Sequence, residues 1–448
     1  MRKLFGTDGI RGLANSELTP ELATKIGMGL VRVLKNEGMI NPKVMVGMDT
    51  RISSPMLGAA VEAGIMSAGG DVCHLGVCST PAVAYLMRLQ DYQAGVMISA
   101  SHNPHEYNGI KIFGGDGFKL NDRLEKEIEK QLFSDKSCCK TSERIGTILY
   151  AIDLINDYVD YIANAFKVDL TGMKVGIDCA NGSASASAEG LFKRLGCQCT
   201  MLGNTPDGVN INKNCGSTHL DGLKRLVVEM GLDMGIAFDG DADRCLAVDE
   251  NGNEVDGDHI MAILATELLK ENKLNKNTVV GTVMSNLGFE RFCTERGIDF
   301  VRTKVGDRYV LEAMSDGEFS FGGEQSGHVI LRDYATTGDG QLTAVALLSC
   351  IKKSGKSLST LAAVMKKYPQ YSVNIEADFG AKSRITESDE IKEIIENAEK
   401  AMGGFGRILV RPSGTEPLVR VMVEGENEEV TRDLCNYVAS RIRNILIK

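Results

Sequence analysis

The sequence contains no C-x-x-C pair, although it holds twelve cysteines, scattered singly or as Cys138-Cys139 and Cys197-Gln198-Cys199. That spacing excludes a zinc site or a disulfide framework and predicts reduced, mostly buried thiols. No apolar run approaches a membrane span, and the N-terminus, MRKLFGTDGIRG, has basic residues without the apolar stretch of a secretion signal. The expected location is the cytoplasm. A basic excess is also missing: the formal net charge is −10, which argues against a nucleic-acid partner. It does not argue against a small anionic substrate, because screening over roughly 8 Å makes local loop charge matter more than the total. No G-x-x-x-x-G-K-[ST] loop occurs, so a Walker-type nucleotide site is excluded.

What is present is a chain of 448 residues, too long for one core, and a prior of about 150 residues per domain suggests three or four. A helix is signalled at both ends between Thr19 and Gly38, with Thr19 as N-cap, Pro20 in the first position and Leu22, Ile26, Leu30 and Val33 as its apolar stripe. A strand at 43–48, a helix from Ser54 to about Ala68, a strand near 72–77 and a helix after Thr80-Pro81 continue an alternating α/β pattern. The polar, aperiodic segment 134–142 reads as a surface connection, and the pattern restarts beyond residue 150 and again after a hairpin at 245–253. The expected architecture is three similar α/β domains (1–150, 151–250, 251–370) with mixed, largely parallel sheets. A smaller α+β domain (371–448) completes it, all four surrounding a central cleft.

Each round contains a strand opening into an unusual loop. The first is Gly95 to Lys111, GVMISASHNPHEYNGIK, an apolar strand turning into what reads as an exposed polar loop, with Ser101 at the strand's exit and His102, Asn103, Asn108 and Lys111 around it. Ligands of open α/β sheets bind beyond the carboxyl ends of strands, so a hydroxyl here is placed to meet a substrate; an isolated serine would more often only close a turn. The second is Asp239-Gly240-Asp241-Ala242-Asp243-Arg244, with carboxylates at alternate positions after an apolar strand, hard oxygen ligands that suit magnesium. An EF-hand, with Glu250 in the twelfth position, is rejected because Arg244 stands where the sharp turn demands glycine. A merely solvated acidic turn is disfavoured by the mutual repulsion of three clustered acids.

The third loop, 322–328, offers Glu324, Gln325, Ser326 and His328 on a glycine frame, groups that suit sugar hydroxyls as well as a plain glycine-rich turn would explain them. Near the C-terminus, Arg411, Ser413, Gly414, Thr415 and Arg420 combine guanidinium, hydroxyls and turn N–H groups into a phosphate cradle, with a capped turn as the competing reading. Three smaller features, Thr7 to Arg11, Asp49-Thr50-Arg51, and Lys304 with Gly306-Asp307-Arg308, are individually weak, and solvation is the default for Arg308.

FGTDGIRG, ASHNP, DGDADR, GEQSGH and RPSGTEP, in that order, resemble the motifs of the α-D-phosphohexomutase superfamily along nearly the whole chain. The resemblance implies an isomerase in which Ser101 carries a phosphoryl group, passes it to a sugar phosphate and shares with Asp239, Asp241 and Asp243 one Mg²⁺ per chain. It implies transition-state charge stabilisation and proton transfer for Arg11 and Lys111, and acid/base work for His328. Arg244, His102, Lys304, Glu324 and Ser326 are implied substrate ligands, with the C-terminal loop holding the far phosphate. A lysine can move protons only if burial or positive neighbours lower its pKa. FGTDGIRG and GGEQSGH look most like members acting on amino-sugar phosphates, which implies glucosamine 6-phosphate and glucosamine 1-phosphate exchanged through glucosamine 1,6-bisphosphate, on a route to cell-wall precursors, by a homodimer. Phosphomannose or phosphoglucose specificity, a catalytically silent phosphosugar sensor and a phosphatase are the alternatives. Ala242 departs from the glycine of many relatives, which matters only if its φ is positive.

Overall fold

A computed structural model describes residues 4–6, 8–132, 139–377, 385, 388–403, 406–412 and 418–447. The chain divides into two compact units, residues 1–284 with 298–364, and residues 285–297 with 365–448. Of the segment expected as a surface connection, 134–138 lie outside the described residues. No described helix is long and apolar enough to cross a membrane.

The first unit holds three sheets. In the first, strands β1 (Ile10–Leu13), β2 (Lys43–Met48), β3 (Asp71–Val77), β4 (Ala94–Ile98), β5 (Tyr107–Gly114) and β6 (Ile148–Tyr150) are ordered β1-β5-β4-β2-β3-β6. The pairs among β4, β2, β3 and β6 are parallel, whereas β1 and β5 run antiparallel to their neighbours. The second sheet comprises β7 (Lys174–Asp178), β8 (Gln198–Leu202), β9 (Met234–Phe238), β10 (Cys245–Asp249) and β11 (Glu254–Val255), ordered β11-β10-β9-β7-β8. The third comprises β12 (Thr278–Thr282), β13 (Asp299–Thr303), β14 (Phe321–Gly323) and β15 (Val329–Leu331), ordered β13-β12-β14-β15. In both, the central pairs are parallel and an antiparallel strand lies at one side, so the sheets are mixed.

The local signals act as the residues dictate. Thr19 accepts from the Leu22 N–H and Pro20 opens the helix Pro20–Asn36, whose Ile26, Leu30 and Val33 are buried in the first core. That helix packs on the helix Ser54–Ser67 almost backbone to backbone, since a Cβ on Gly64 would stand 2.1 Å from Thr24 O and one on Gly27 would stand 2.3 Å from Val61 O.

In the second unit, β16 (Gln370–Glu376), β17 (Gly406–Pro412) and β18 (Leu418–Gly425) form an antiparallel sheet ordered β16-β18-β17. The helices Asp389–Ala401 and Glu428–Ile447 pack on it through Ile391, Ile394, Val438 and Ile442. The helix Leu287–Arg296 belongs to this unit: the Asn286 amide at its N-cap donates to Tyr368 O and to the buried carboxylate of Glu424.

Gly64→Ala, which raises intrinsic helix propensity, is predicted to lower stability by about 2 kcal/mol because the added methyl meets backbone that cannot yield. Chemical denaturation of the variant checks this, and an unchanged or raised midpoint contradicts the packing account.

Candidate active site

The β4 strand delivers Ser101 into a buried site. The serine is 1% exposed and Asn108 and Lys111 are equally enclosed, whereas the loop between them is open as expected, with Pro104, Glu106 and Tyr107 exposed. These three are enclosed because Asn108 and Lys111 belong to β5 rather than to the loop, and the carboxylate loop after β9 closes over Ser101. That approach is tight enough to require glycine, because a Cβ on Gly240 would lie 2.5 Å from Ser101 O.

Ser101 has φ +53, a left-handed conformation that side-chain-bearing residues avoid, and its position is fixed by a network of buried groups. The Ser101 N–H donates to Ser99 Oγ at 2.9 Å, and Ser99 Oγ donates to Asp49 at 2.6 Å. Asp49 pairs with Arg51 at 2.8 Å, and the Arg51 guanidinium donates in turn to Ser101 O and Asn103 O, both at 2.8 Å. Asn212 adds a bond to Ser101 O at 2.9 Å. The Asp49-Thr50-Arg51 feature, weak in the sequence, is the frame of the serine loop. Asn108 is turned away, donating to Ser53 and Ser54.

Ser101 Oγ donates to Asp239 Oδ2 at 2.6 Å and lies 3.3 Å from His102 Nδ1. Burial first, then Arg244 and Arg11, lower the His102 pKa to about 3, so this imidazole is neutral. Asp239, Asp241 and Asp243 are all buried, with one carboxylate oxygen from each lying within 4.8 Å of the others. Burial, reinforced by Asp243 and Asp241, pushes Asp239 well above the usual carboxylate range. Asp241 Oδ1 and Asp243 Oδ1 are buried with no hydrogen-bond partner among the described residues. Three converging carboxylates with two orphaned oxygens and a hydroxyl beside them are a donor set for a hard divalent cation. Glu250, the twelfth-position residue of the rejected EF-hand, instead accepts from Ser359.

Ala242 does have a positive φ, +57, so its methyl sits where glycine costs nothing, at a penalty of roughly 1–2 kcal/mol. It is held there by its own N–H bonded to Asp239 O at 3.1 Å and by its carbonyl accepting from Gly340 at 3.0 Å.

Lys111 on β5 is 1% exposed and reaches Asp241 at 2.7 Å, Asp8 at 3.0 Å and Asp243 at 3.3 Å. Burial lowers the pKa of its amine, but Asp241, Asp8 and Asp243 outweigh burial and raise it well above its ordinary value. Lys111 thus sets a positive charge against the carboxylates of both loops. Arg11, on β1 opposite Gly109, pairs with Asp8, as does Lys119. Lys119 also binds Asp307, whose Oδ2 is 3.6 Å from His328 Nε2. Sequence reasoning missed Thr80, which donates to Asp241 at 2.5 Å, and Lys119. Thr80 is hidden as a helix N-terminal residue and Lys119 as an ordinary surface-type lysine.

The remaining candidates divide. Arg244 joins the cluster through its N–H to Asp239 at 3.2 Å, and Asp239 and Asp243 keep it firmly charged against burial. Glu324 is buried and accepts from the Gly306 N–H at 3.1 Å, and His328 is 2% exposed with both ring nitrogens lacking a hydrogen bond among the described residues. Ser326 and Lys304 are exposed, Lys304 resting 5.9 Å from the Tyr309 ring centroid, and neither belongs to the cluster. Arg308 is not merely solvated: it pairs with Asp122, Glu125 and Glu312. In the second unit Arg411 and Arg420 face each other across β17 and β18; burial, then Arg420, lowers the Arg411 pKa. Ser413, Gly414 and Thr415 lie outside the described residues.

Gly240→Ala is predicted to force the carboxylate loop off Ser101, lowering turnover by about 10²-fold or more while the melting temperature falls only a few degrees. A variant with wild-type turnover contradicts the required approach.

Four models of the phosphoglucomutase/phosphomannomutase family match in order: alpha/beta/alpha domain I at residues 2–138, domain II at 156–252, domain III at 256–368 and the C-terminal domain at 373–441. The chain is 53% identical over 449 residues, covering all of both chains, to a phosphoglucosamine mutase of a Thermoanaerobacter species. It is 52% identical over 431 residues, 96% of each chain, to the Acetivibrio thermocellus phosphoglucosamine mutase. A phosphoglucomutase/phosphomannomutase family protein from Burkholderia thailandensis has the same fold, with a TM-score of 0.83 at 23% identity over 99% of this chain and 98% of that one. So does the Aspergillus fumigatus N-acetylphosphoglucosamine mutase solved with GlcNAc-6P and magnesium, with a TM-score of 0.70 at 18% identity over 99% and 96%. With the domain models in register along the chain and half of all residues shared with full-length relatives, the chain belongs to the phosphoglucosamine mutase family, within the α-D-phosphohexomutases.

Proposed function

We propose that this chain is an isomerase that interconverts glucosamine 6-phosphate and glucosamine 1-phosphate by intramolecular phosphotransfer through a phosphorylated Ser101. The observation that carries the reading is the Ser101 hydroxyl donating at 2.6 Å to one member of a buried carboxylate trio, with a charged lysine locked against the other two. The phosphoserine P–O bond breaks as a new P–O bond forms to the free hydroxyl of the bound monophosphate, giving glucosamine 1,6-bisphosphate. The substrate hydroxyl's proton passes to a base, for which Lys111 and His328 are the candidates. The bisphosphate turns end for end, its second phosphate returns to Ser101, and the product leaves.

Phosphoryl transfer depends on positioning and charge neutralisation more than on covalent chemistry. Lys111, Arg11 and Arg244 supply fixed positive charge near the transferring oxygens. One Mg²⁺, held by Asp239, Asp241, Asp243 and the Ser101 oxygen, would supply the Lewis-acid charge that the orphaned Oδ1 atoms leave room for. Glu324, Ser326, His102 and Lys304 are assigned to the sugar and near phosphate; Arg411, Ser413, Gly414, Thr415 and Arg420 are assigned to the other phosphate. Burial of Ser101 keeps water from the phosphoserine, which protects it from hydrolysis.

A homodimer in the cytoplasm is part of the same reading. Leu149 and Tyr150 of the edge strand β6, and Ile145 and Ile152 flanking it, are 51–68% exposed, apolar surface that a second copy would cover. None of the described cysteines forms a disulfide, which agrees with a reducing compartment.

Ser101→Ala is predicted to abolish phosphate labelling at that position in peptide mass mapping and to cut turnover by about 10³-fold or more, with glucosamine 6-phosphate binding retained. Coupled assays should give a higher kcat/KM with glucosamine 6-phosphate than with mannose 1-phosphate or glucose 1-phosphate, and a reversed order would defeat the amino-sugar assignment. Light scattering should give twice the monomer mass, falling to the monomer in Leu149→Lys/Tyr150→Glu.

A further inference from the structure

The helix Thr80–Leu89 starts at the edge of the first sheet from which Ser101 also emerges, because β3, which feeds it, is parallel to β2, and β2 is parallel to β4. Ser79 caps this helix, its side chain accepting from the Ala82 N–H. The hydroxyl of the next residue, Thr80, is therefore not spent on the helix end. Instead Thr80, 1% exposed, holds Asp241 at two points: its N–H donates to Asp241 O at 3.0 Å and its hydroxyl donates to Asp241 Oδ2 at 2.5 Å. An ionised carboxylate can only accept, so the direction of the second bond is fixed.

These contacts make the two oxygens of Asp241 unequal. Oδ2 receives Thr80 and, at 2.7 Å, the Lys111 amine, whereas Oδ1 is buried without a hydrogen-bond partner among the described residues. Lys111 alone does not set that arrangement. An ammonium on a flexible stem is a point charge with rotatable donors, which meets a carboxylate in many planes, and this one is shared with Asp8 and Asp243. Thr80 differs in kind, since its β-branched side chain is confined at χ1, its backbone is held by the helix, and its N–H grips the residue that its hydroxyl orients.

We infer that Thr80 is a positioning residue for the cation site. By committing Oδ2 it fixes the plane of the Asp241 carboxylate and keeps Oδ1 open to a divalent cation. The inference rests on the metal reading of the carboxylate trio. Groups that orient a metal ligand from behind are commonly worth about 10–100-fold in metal affinity. Nothing in the spacing of 239, 241 and 243 points to residue 80, which lies in the first α/β/α domain while they lie in the second.

The test is the affinity of the full chain for Mn²⁺, a hard divalent probe whose free ion is read by electron paramagnetic resonance, in proteins matched for Ser101 phosphate by peptide mass mapping. The wild type should bind one Mn²⁺ per chain, displaced by Mg²⁺. Thr80→Val keeps the backbone bond and removes the hydroxyl, and it should weaken Mn²⁺ binding about tenfold or more. Thr80→Ala removes the same donor without adding a group and should do the same, whereas Thr80→Ser, which keeps the donor, should stay within about twofold of the wild type. In turnover, the Mg²⁺ concentration giving half the maximal rate should rise by the same factor in Thr80→Val while kcat at saturating Mg²⁺ falls far less, a split that general loosening of the loop does not give. Wild-type affinity in both hydroxyl-free variants, or a Thr80→Ser as weak as they are, overturns the role of Thr80. Absence of saturable Mn²⁺ binding in the wild type overturns the metal reading and this inference with it, so the two failures are told apart by which protein fails to bind.

Discussion

Three carboxylates held within 4.8 Å of one another in a buried pocket repel, and the first unit is built around containing that repulsion. Lys111 answers two of them and Arg244 lies against the trio, while Asp239 turns to the Ser101 hydroxyl. What is left over, two carboxylate oxygens without hydrogen-bond partners among the described residues, is negative charge that a hard cation can balance, and the same repulsion pushes Asp239 well above its usual range. Replacing the ion pairs with apolar residues would be easier on stability, so their persistence in the interior is a mark of chemistry rather than of folding.

Backbone strain is concentrated at the same place. Ser101 and Ala242 both hold left-handed conformations, and each is over-determined by bonds that leave it no alternative: Arg51 and Asn212 on the serine loop, Gly340 on the carboxylate loop. The close approach of Gly240 to Ser101 O is what makes the two loops a single site. A chain of ion pairs, Lys111 to Asp8, Lys119 and Asp307, then runs to within 3.6 Å of His328, tying the third sheet's glycine loop to the first sheet's lysine. Geometry thus links His328 to the charge cluster through Asp8, Lys119 and Asp307, none of which is hydrogen-bonded or ion-paired to Ser101 or the trio.

Much of this was legible in the sequence because it depends on local rules. The Thr19-Pro20 start of the first long helix, the bounds of β2 and the carboxylates at 239, 241 and 243 follow from capping chemistry, short apolar runs and donor type. The phosphoserine reading rests on five motifs in order, and the family membership they imply is the one shared with relatives at half identity. The mixed character of each sheet followed less directly: β1 is four residues long and Asn108 to Lys111 looked like loop, because an antiparallel strand that completes a sheet edge needs no strong apolar run of its own.

What the sequence determined by itself was the inventory: which groups can ligate, donate or carry phosphate, and which helices and strands deliver them. Tertiary structure alone decided their states. Lys111 is one polar residue near the serine in the sequence, and only folding places it beside Asp8, Asp241 and Asp243, all distant from it along the chain, whose charges raise its pKa against burial. Asp49 and Arg51 were a weak signal in the sequence until their enclosure made them the frame of the serine loop. Charge, burial and neighbours add over distances in space, and one-dimensional spacing carries no record of them until the chain has closed.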